Sequence, residues 1–405
     1  MRLNQSLVTS LIATCLITLA VVAEEHPGTR ASTCYLKKEK RDHYHYSDRR
    51  ETKTISSYNR VDGLFLGMRV PYHKDYRGNG VLQLYGMVGV GIKSKAIRYR
   101  AALERGLFPY SYRFALGFEA YDLTYSEDDW IISTLENSLA AFFIHEDFQD
   151  FYRRQGYGVY LRQNFPQHLS LKVGYYEEKH SYLPLKTDWA LFGGHKKFRP
   201  NPSITEGELK GILTTLCFDT RNHYKNPDQG WLATIFIEYT PKDFLNQTDD
   251  LDFKRYIIDI RRYQPLSQGQ NLDLRLRLGE SDATLPKQKL FDLGGISTLR
   301  GFEFKEFTGD RMLLGNLEYR VDWSEAAWKS NLFILDEVTL IFFIDSGLAW
   351  NKNTKDFQNL SWKDFHTDVG IAISNWDGST RLNIAKPTNQ NSNEVKITFR
   401  ISRPF

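Results

Sequence analysis

Past residue 57 the chain falls into segments of about 10 to 15 residues in which apolar and polar side chains alternate, and this pattern limits what it can fold into. Leu272, Leu274, Leu276 and Leu278 share one face of such a segment, while Asp273, Arg275 and Arg277 take the other. Leu317, Tyr319, Val321 and Trp323 likewise oppose Asn316, Glu318, Arg320 and Asp322. Near the C-terminus Val395, Ile397, Phe399, Ile401 and Phe405 oppose Lys396, Thr398, Arg400 and Ser402. A period of two marks a strand whose two sides meet different surroundings. A half-buried sheet in a soluble sandwich alternates too, so length decides. Soluble strands run to about 5 or 6 residues, whereas a strand tilted across a bilayer needs about 9 to 11.

Fifteen segments follow this pattern: 57–73, 80–94, 95–108, 111–126, 154–166, 167–183, 205–222, 229–241, 251–266, 269–282, 311–323, 336–350, 364–374, 379–387 and 393–404. A barrel with both ends in the periplasm needs an even number. Long connections alternate with short ones from the C-terminus back to residue 154, as external loops alternate with periplasmic turns. The missing strand is therefore expected earlier, in 44–56 or inside 127–153. The expected fold is all-β: a transmembrane antiparallel β-barrel of 16 strands.

One stretch breaks the alternation. Ser126 is followed by Glu127, Asp128 and Asp129, and Ile131, Leu135, Leu139, Phe142 and Phe143 recur at helical spacing, which predicts an amphipathic helix over 127–152 in an external connection. Its Glu136, His145, Glu146 and Asp147 are expected on a solvated face; the second His that a zinc protease needs four residues on is absent. The N-terminus reads as a signal peptide, with Arg2 ahead of an apolar Leu11 to Val22 and a small-residue Val21-Val22-Ala23 end. The expected organisation is a signal peptide at 1–23, a polar periplasmic leader at 24–56 and an outer-membrane barrel at 57–405. Within the barrel, 283–310 is too long for a passive turn. Cys34 and Cys217 are expected to be free thiols.

Charge and composition remove other classes. With 53 Lys+Arg against 49 Asp+Glu the net charge is only +4, without the basic block of a nucleic-acid binder. Past residue 23 no apolar run approaches the roughly 18 residues of a spanning helix. No G-x-S-x-G elbow, Cys/His cluster or phosphate loop is present, so neither an enzyme nor a metal or cofactor site is expected.

The 283–310 connection carries Gly294-Gly295-Ile296-Ser297-Thr298-Leu299-Arg300-Gly301-Phe302. Asn316 to Arg320 follow as a strand, Phe343-Ile344-Asp345-Ser346-Gly347 form a further motif, and Phe218-Asp219-Thr220-Arg221 with Pro227 to Gly230 form a hairpin. On these residues, and on the terminal Phe405, the chain resembles the BamA/TamA-like bacterial surface-antigen superfamily of outer-membrane barrels, specifically from about 215 onward. The resemblance implies an inward-folding loop whose tip, Arg300, Gly301 and Phe302, is locked by pairing of Arg300 to Glu318 or Asp345. Alternation independently places both carboxylates on the inner face, where a guanidinium would meet them as a bidentate donor. In a water-filled lumen, losing that pair is expected to cost about 1 to 3 kcal/mol. The resemblance further implies Asp219 and Arg221 as the family hairpin, and Phe405 as an assembly signal read by the host barrel-assembly machinery.

Family members insert or secrete proteins and recruit substrates through periplasmic POTRA repeats, for which 24–56 is too short. Two readings stay open: a reduced barrel that assists protein insertion or translocation in the cell outer membrane, and a structural or surface-exposed barrel without that activity. An outer-membrane phospholipase-like enzyme is a third and weaker alternative. Expected partners are outer-membrane lipids and lipopolysaccharide, the barrel-assembly machinery and separate POTRA-bearing or other periplasmic proteins.

Overall fold

The structure is a computed structural model that describes residues 53–70, 82–108, 111–166, 168–192, 194–224, 226–241, 252–322, 338–354, 357–375, 378, 380–388, 394–403 and 405. Sixteen strands form one continuous antiparallel sheet. In chain order they begin with β1 (Lys53–Asn59), β2 (Gly63–Val70), β3 (Leu82–Gly91), β4 (Ile97–Phe108), β5 (Ser111–Tyr125), β6 (Tyr152–Phe165) and β7 (Leu169–Tyr182). They continue with β8 (Gly207–Asp219), β9 (Gly230–Thr240), β10 (Phe253–Ser267) and β11 (Gln270–Ser281). A small hairpin of β12 (Phe291–Leu293) and β13 (Phe307–Gly309) lies apart from the wall. The wall resumes with β14 (Arg311–Asp322), β15 (Val338–Trp350), β16 (His366–Asn375), β17 (Arg381–Pro387) and β18 (Lys396–Arg400). Each wall strand pairs with its neighbours in sequence, β11 joining β14 across the small hairpin. Among the described residues no ladder joins β1 to β18.

The alternating faces separate lipid from lumen as the sequence requires of a transmembrane β-barrel. Leu84, Val88, Leu276, Ile344, Ile373 and Ile397 point outward and are exposed, whereas Asp273, Arg275, Arg277, Glu318 and Asp345 point inward and are buried. The strand missing from the sequence count is β1, which starts at Lys53, inside the stretch assigned to the leader. The segment read as one strand at 57–73 is the β1–β2 hairpin, because Asn59 ends β1 by accepting from the amides of Val61 and Asp62, and Gly63 takes a left-handed φ of 66°. The proposed signal peptide, Cys34 and Trp323 lie outside the described residues. Cys217 is disulfide-bonded, a correction to the free thiol expected.

The helix is shorter than the sequence suggested. α1 spans Thr134–Ile144, and its N-cap is Ser133, whose hydroxyl accepts from the Glu136 amide at 3.2 Å; Ser126 instead bonds the Asp128 amide in a separate 3-10 turn at Asp128–Trp130. The β5–β6 connection folds inward, so the solvated face expected for Glu136, His145 and Asp147 is not observed. All three are buried; Arg400 holds Glu136, Arg60 holds Asp147, and the His145 ring meets the Asp188 carbonyl at 3.0 Å. Among the described residues no group of His, Cys, Asp and Glu is arranged to hold a metal.

Candidate functional site: an inward loop and an open seam

The connection 282–310 folds into the lumen as the β12–β13 hairpin with a compact tip. Gly294 and Gly295 adopt φ of 120° and 77°, conformations that side-chain-bearing residues resist. A Cβ on Gly294 would approach the Glu303 carbonyl to 2.3 Å. The turn closes through Gly295 N–H to the Leu299 carbonyl at 2.9 Å and Gly294 N–H to the Thr298 hydroxyl at 2.9 Å. Leu299 and Phe302 then bury in an apolar cluster with Leu293, Met312 and Leu314.

This architecture carries Arg300 to the inner wall. Its Nε donates to Asp345 Oδ2 at 2.6 Å, its Nη2 to Oδ1 at 2.7 Å, and its Nη1 to Glu318 Oε1, while the guanidinium lies 3.5 Å over the Phe343 ring. Both carboxylates engage the one guanidinium together. The site is closed to bulk solvent: Arg300 is 2% exposed, Glu318 1% and Asp345 0%. Burial opposes the charge on Arg300, but Asp345 and Glu318 outweigh it and raise its pKa.

Two residues that sequence reasoning missed complete the arrangement. Arg381 on β17 donates to Glu318 Oε2 at 3.1 Å and Oε1 at 2.9 Å, so Glu318 is held from two sides. Asp368 on β16, fully buried, stands opposite Asp345 in the ladder and against Gly301, where an added Cβ would meet its Cβ at 2.7 Å. The inward period of β17, Arg381, Asn383 and Ala385, was a signal that could have found the first; Asp368 emerges only from strand register.

Asp219 and Arg221 lie away from this tip, paired to each other at 2.8 Å at the opposite end of the wall. Phe405 is buried and does not continue the outward face of Val395, Ile397 and Phe399. The chain leaves the sheet after Arg400, since Glu136 accepts from the Ile401 amide at 3.0 Å and the Ser402 hydroxyl at 2.7 Å, and Arg403 reaches Asp273 at 2.5 Å.

That capture lies at the gap between β1 and β18. From α1, Ser138 Oγ accepts from the Tyr58 amide of β1 at 3.1 Å, and two residues earlier Glu136 accepts from Arg400 of β18 at 2.6 and 2.8 Å. One helix thus holds both ends of the sheet from within. Arg400 also donates to Ser297, tying the helix to the loop tip.

The same connections knit together higher in the lumen. Lys305, just past the loop tip, pairs with Asp128 at 2.8 Å, Asp150 at 2.6 Å and Asp292 at 3.2 Å, and these carboxylates raise its pKa over the opposing effect of burial. Asp129, half-buried beside Asp128 and paired with no cation among the described residues, is pushed up to about 7.

Residues 110–405 match the Omp85 superfamily domain. No curated protein matches the sequence. The fold is similar to BamA from Haemophilus ducreyi lacking POTRA domains 1-3, at 15% identity and a TM-score of 0.54 over 85% of this chain and 67% of that one. CdiB from Acinetobacter baumannii aligns at 12% identity and a TM-score of 0.42, over 86% of this chain and 58% of that one. With the whole wall from β5 to β18 inside the matched domain, the chain belongs to the Omp85 superfamily of outer-membrane β-barrels.

Proposed function

We propose that this barrel assists insertion or translocation of polypeptides at the outer membrane, working at the edge between β1 and β18. The observation that supports this reading is the absence of a ladder between those two strands among the described residues. In hydrocarbon every backbone N–H and C=O needs a partner, and an unpaired strand edge is a template for an incoming strand. Helix α1 bridges the edge through its side chains, Ser138 taking the Tyr58 amide and Glu136 the Arg400 guanidinium, so it holds the ends together without forming a backbone ladder between them. In this reading Arg300, Gly301, Phe302, Glu318 and Asp345 dock the loop and keep the lumenal side of that edge rigid. Outer-membrane lipids, lipopolysaccharide and the host barrel-assembly machinery are the partners it implies.

The test is reconstitution into lipid vesicles followed by addition of a urea-unfolded outer-membrane barrel, with folding read as protease protection. The protein should accelerate folding over vesicles lacking it, and Glu136→Ala, which frees β18 from α1, should change that rate. A folded protein that leaves the rate untouched in both forms would leave a structural barrel as the better reading.

A further inference from the structure

The lumenal ion pairs differ in balance: Asp122 and Asp273 each take two guanidinium groups, and the cationic excess is larger at Asp259 on β10. Arg255 and Lys289 face Glu127 and Glu238, two cations to two carboxylates. Arg221 faces Asp219. Asp259, by contrast, takes three guanidinium groups alone: Arg261 at 3.1 Å, Arg275 at 2.6 Å and Arg277 at 2.6 Å. Asp259, Arg275 and Arg277 are buried.

Acceptor capacity is exhausted as well. A carboxylate offers about four lone-pair sites, and Asp259 already takes two donors from Arg261, two from Arg275 and one from Arg277. Arg275 Nη1 and Arg277 Nε are left without a hydrogen-bond partner. Water in the lumen would satisfy those donors but not the excess of two positive charges, and uncompensated charge in a poorly hydrated site is costly. Trp130, carried in by the β5–β6 connection, stacks 4.1 Å over Arg277 and 5.0 Å over Arg275, and so fixes two of the forks.

Asp259, Arg261, Arg277 and Trp130 border a lumenal cavity of about 890 Å³. Its lining runs from Glu127, Ser203 and Lys287 in the inward connections to Arg221 and Tyr224 in the β8–β9 turn at the other end of the wall. A solute entering at that turn meets Arg261 and Arg277 on its way.

We propose that the Arg261, Arg275 and Arg277 cluster around Asp259 is a binding site for a dianionic oxyanion of the phosphate class, a small phosphate ester or inorganic phosphate taken into the lumen. Charge selects the class: an excess of two matches a phosphate dianion better than a monocarboxylate or chloride. Fork geometry supports it, because guanidinium groups pair bidentately with tetrahedral oxyanions. The site does not depend on strand insertion at the seam.

The experiment is calorimetric titration of the whole protein in detergent with inorganic phosphate, glycerol phosphate and acetate at constant ionic strength, each variant being checked for its folded, heat-modifiable band. Phosphate should bind at least about tenfold more tightly than acetate, and Arg277→Gln should weaken phosphate about tenfold, the worth of one charge-assisted hydrogen bond. Asp259→Asn should bind phosphate more tightly than the parent, a gain that misfolding cannot imitate. Glycerol phosphate matching or exceeding phosphate would assign the esterified ligand, and weaker binding would assign the free ion. Acetate binding as tightly as phosphate, or Asp259→Asn leaving phosphate affinity unchanged in a folded protein, would overturn the proposal.

Discussion

Removing Arg300 should release the inward loop, and the two carboxylates it holds should not suffer equally. In Arg300→Ala, Glu318 keeps both bonds from Arg381. Asp345 keeps the Asn316 amide at 2.8 Å, a long contact from the backbone at residue 300 and the carboxyl of Asp368 across the ladder, with no cation beside it among the described residues. Breaking a buried pair by deleting one partner costs about 3 to 5 kcal/mol, because the other charge stays behind. That exceeds the about 1 to 3 kcal/mol expected of a water-filled lumen, and the difference follows from the 0% exposure of Asp345. Hydrogen exchange of the amides between 294 and 306 reads the undocking directly, and urea unfolding in detergent gives the global cost. Asp345→Asn added to Arg300→Ala should recover a substantial part of the loss, since the stranded charge is gone, whereas Glu318→Gln added to Arg300→Ala should recover little. If the Arg300→Ala and Asp345→Asn effects simply sum, the two residues do not act as a pair and the reasoning is wrong.

Two further outcomes are expected. Asp129, pushed up to about 7, holds more proton in the folded than in the unfolded protein. Its contribution to stability is therefore present below the ordinary carboxylate range near pH 4 and is lost as pH rises through about 7; protease cutting between 126 and 151 should increase over that window, and Asp129→Asn should flatten the dependence. Gly301→Ala places a Cβ 2.7 Å from the Asp368 Cβ and 3.1 Å from the Pro387 nitrogen, so it should lift the loop tip at a cost of about 1 to 3 kcal/mol, seen as faster exchange at Leu299 and Phe302 with the wall unchanged.

Much of this fold is legible in the sequence because a lipid-facing strand has no freedom to break its period. The inward placement of Glu318 and Asp345 follows from it, and so does that of Arg275 and Arg277. The turn at Asn59 to Gly63 was missed although Arg60 and Asp62 stand where a period of two between Tyr58 and Leu64 calls for apolar residues. The helix start was misplaced because Ser126 and its acidic followers imitate a cap, while the true cap, Ser133, carries its Glu three residues on. Burial of Glu136 was not legible at all. Its partner Arg400 lies 264 residues away, and only the curling of the sheet around the inward connection brings the two together.

Strand length varies around the wall, and this has a consequence for the lipid. β5 and β10 each run for 15 residues, β17 for seven and β18 for five. At about 3.3 Å per residue and a tilt of about 40°, the wall stands about 38 Å tall at β5 and β10 and about 13 Å at β18. A hydrocarbon core is about 30 Å thick. Acyl chains beside the last strand must shorten or splay to cover it, at fractions of a kcal/mol per Å of mismatch. The bilayer is therefore strained on one side of the molecule only. On the function proposed above, a polypeptide crossing there would have less hydrocarbon to traverse, the deformation being borne by the lipid.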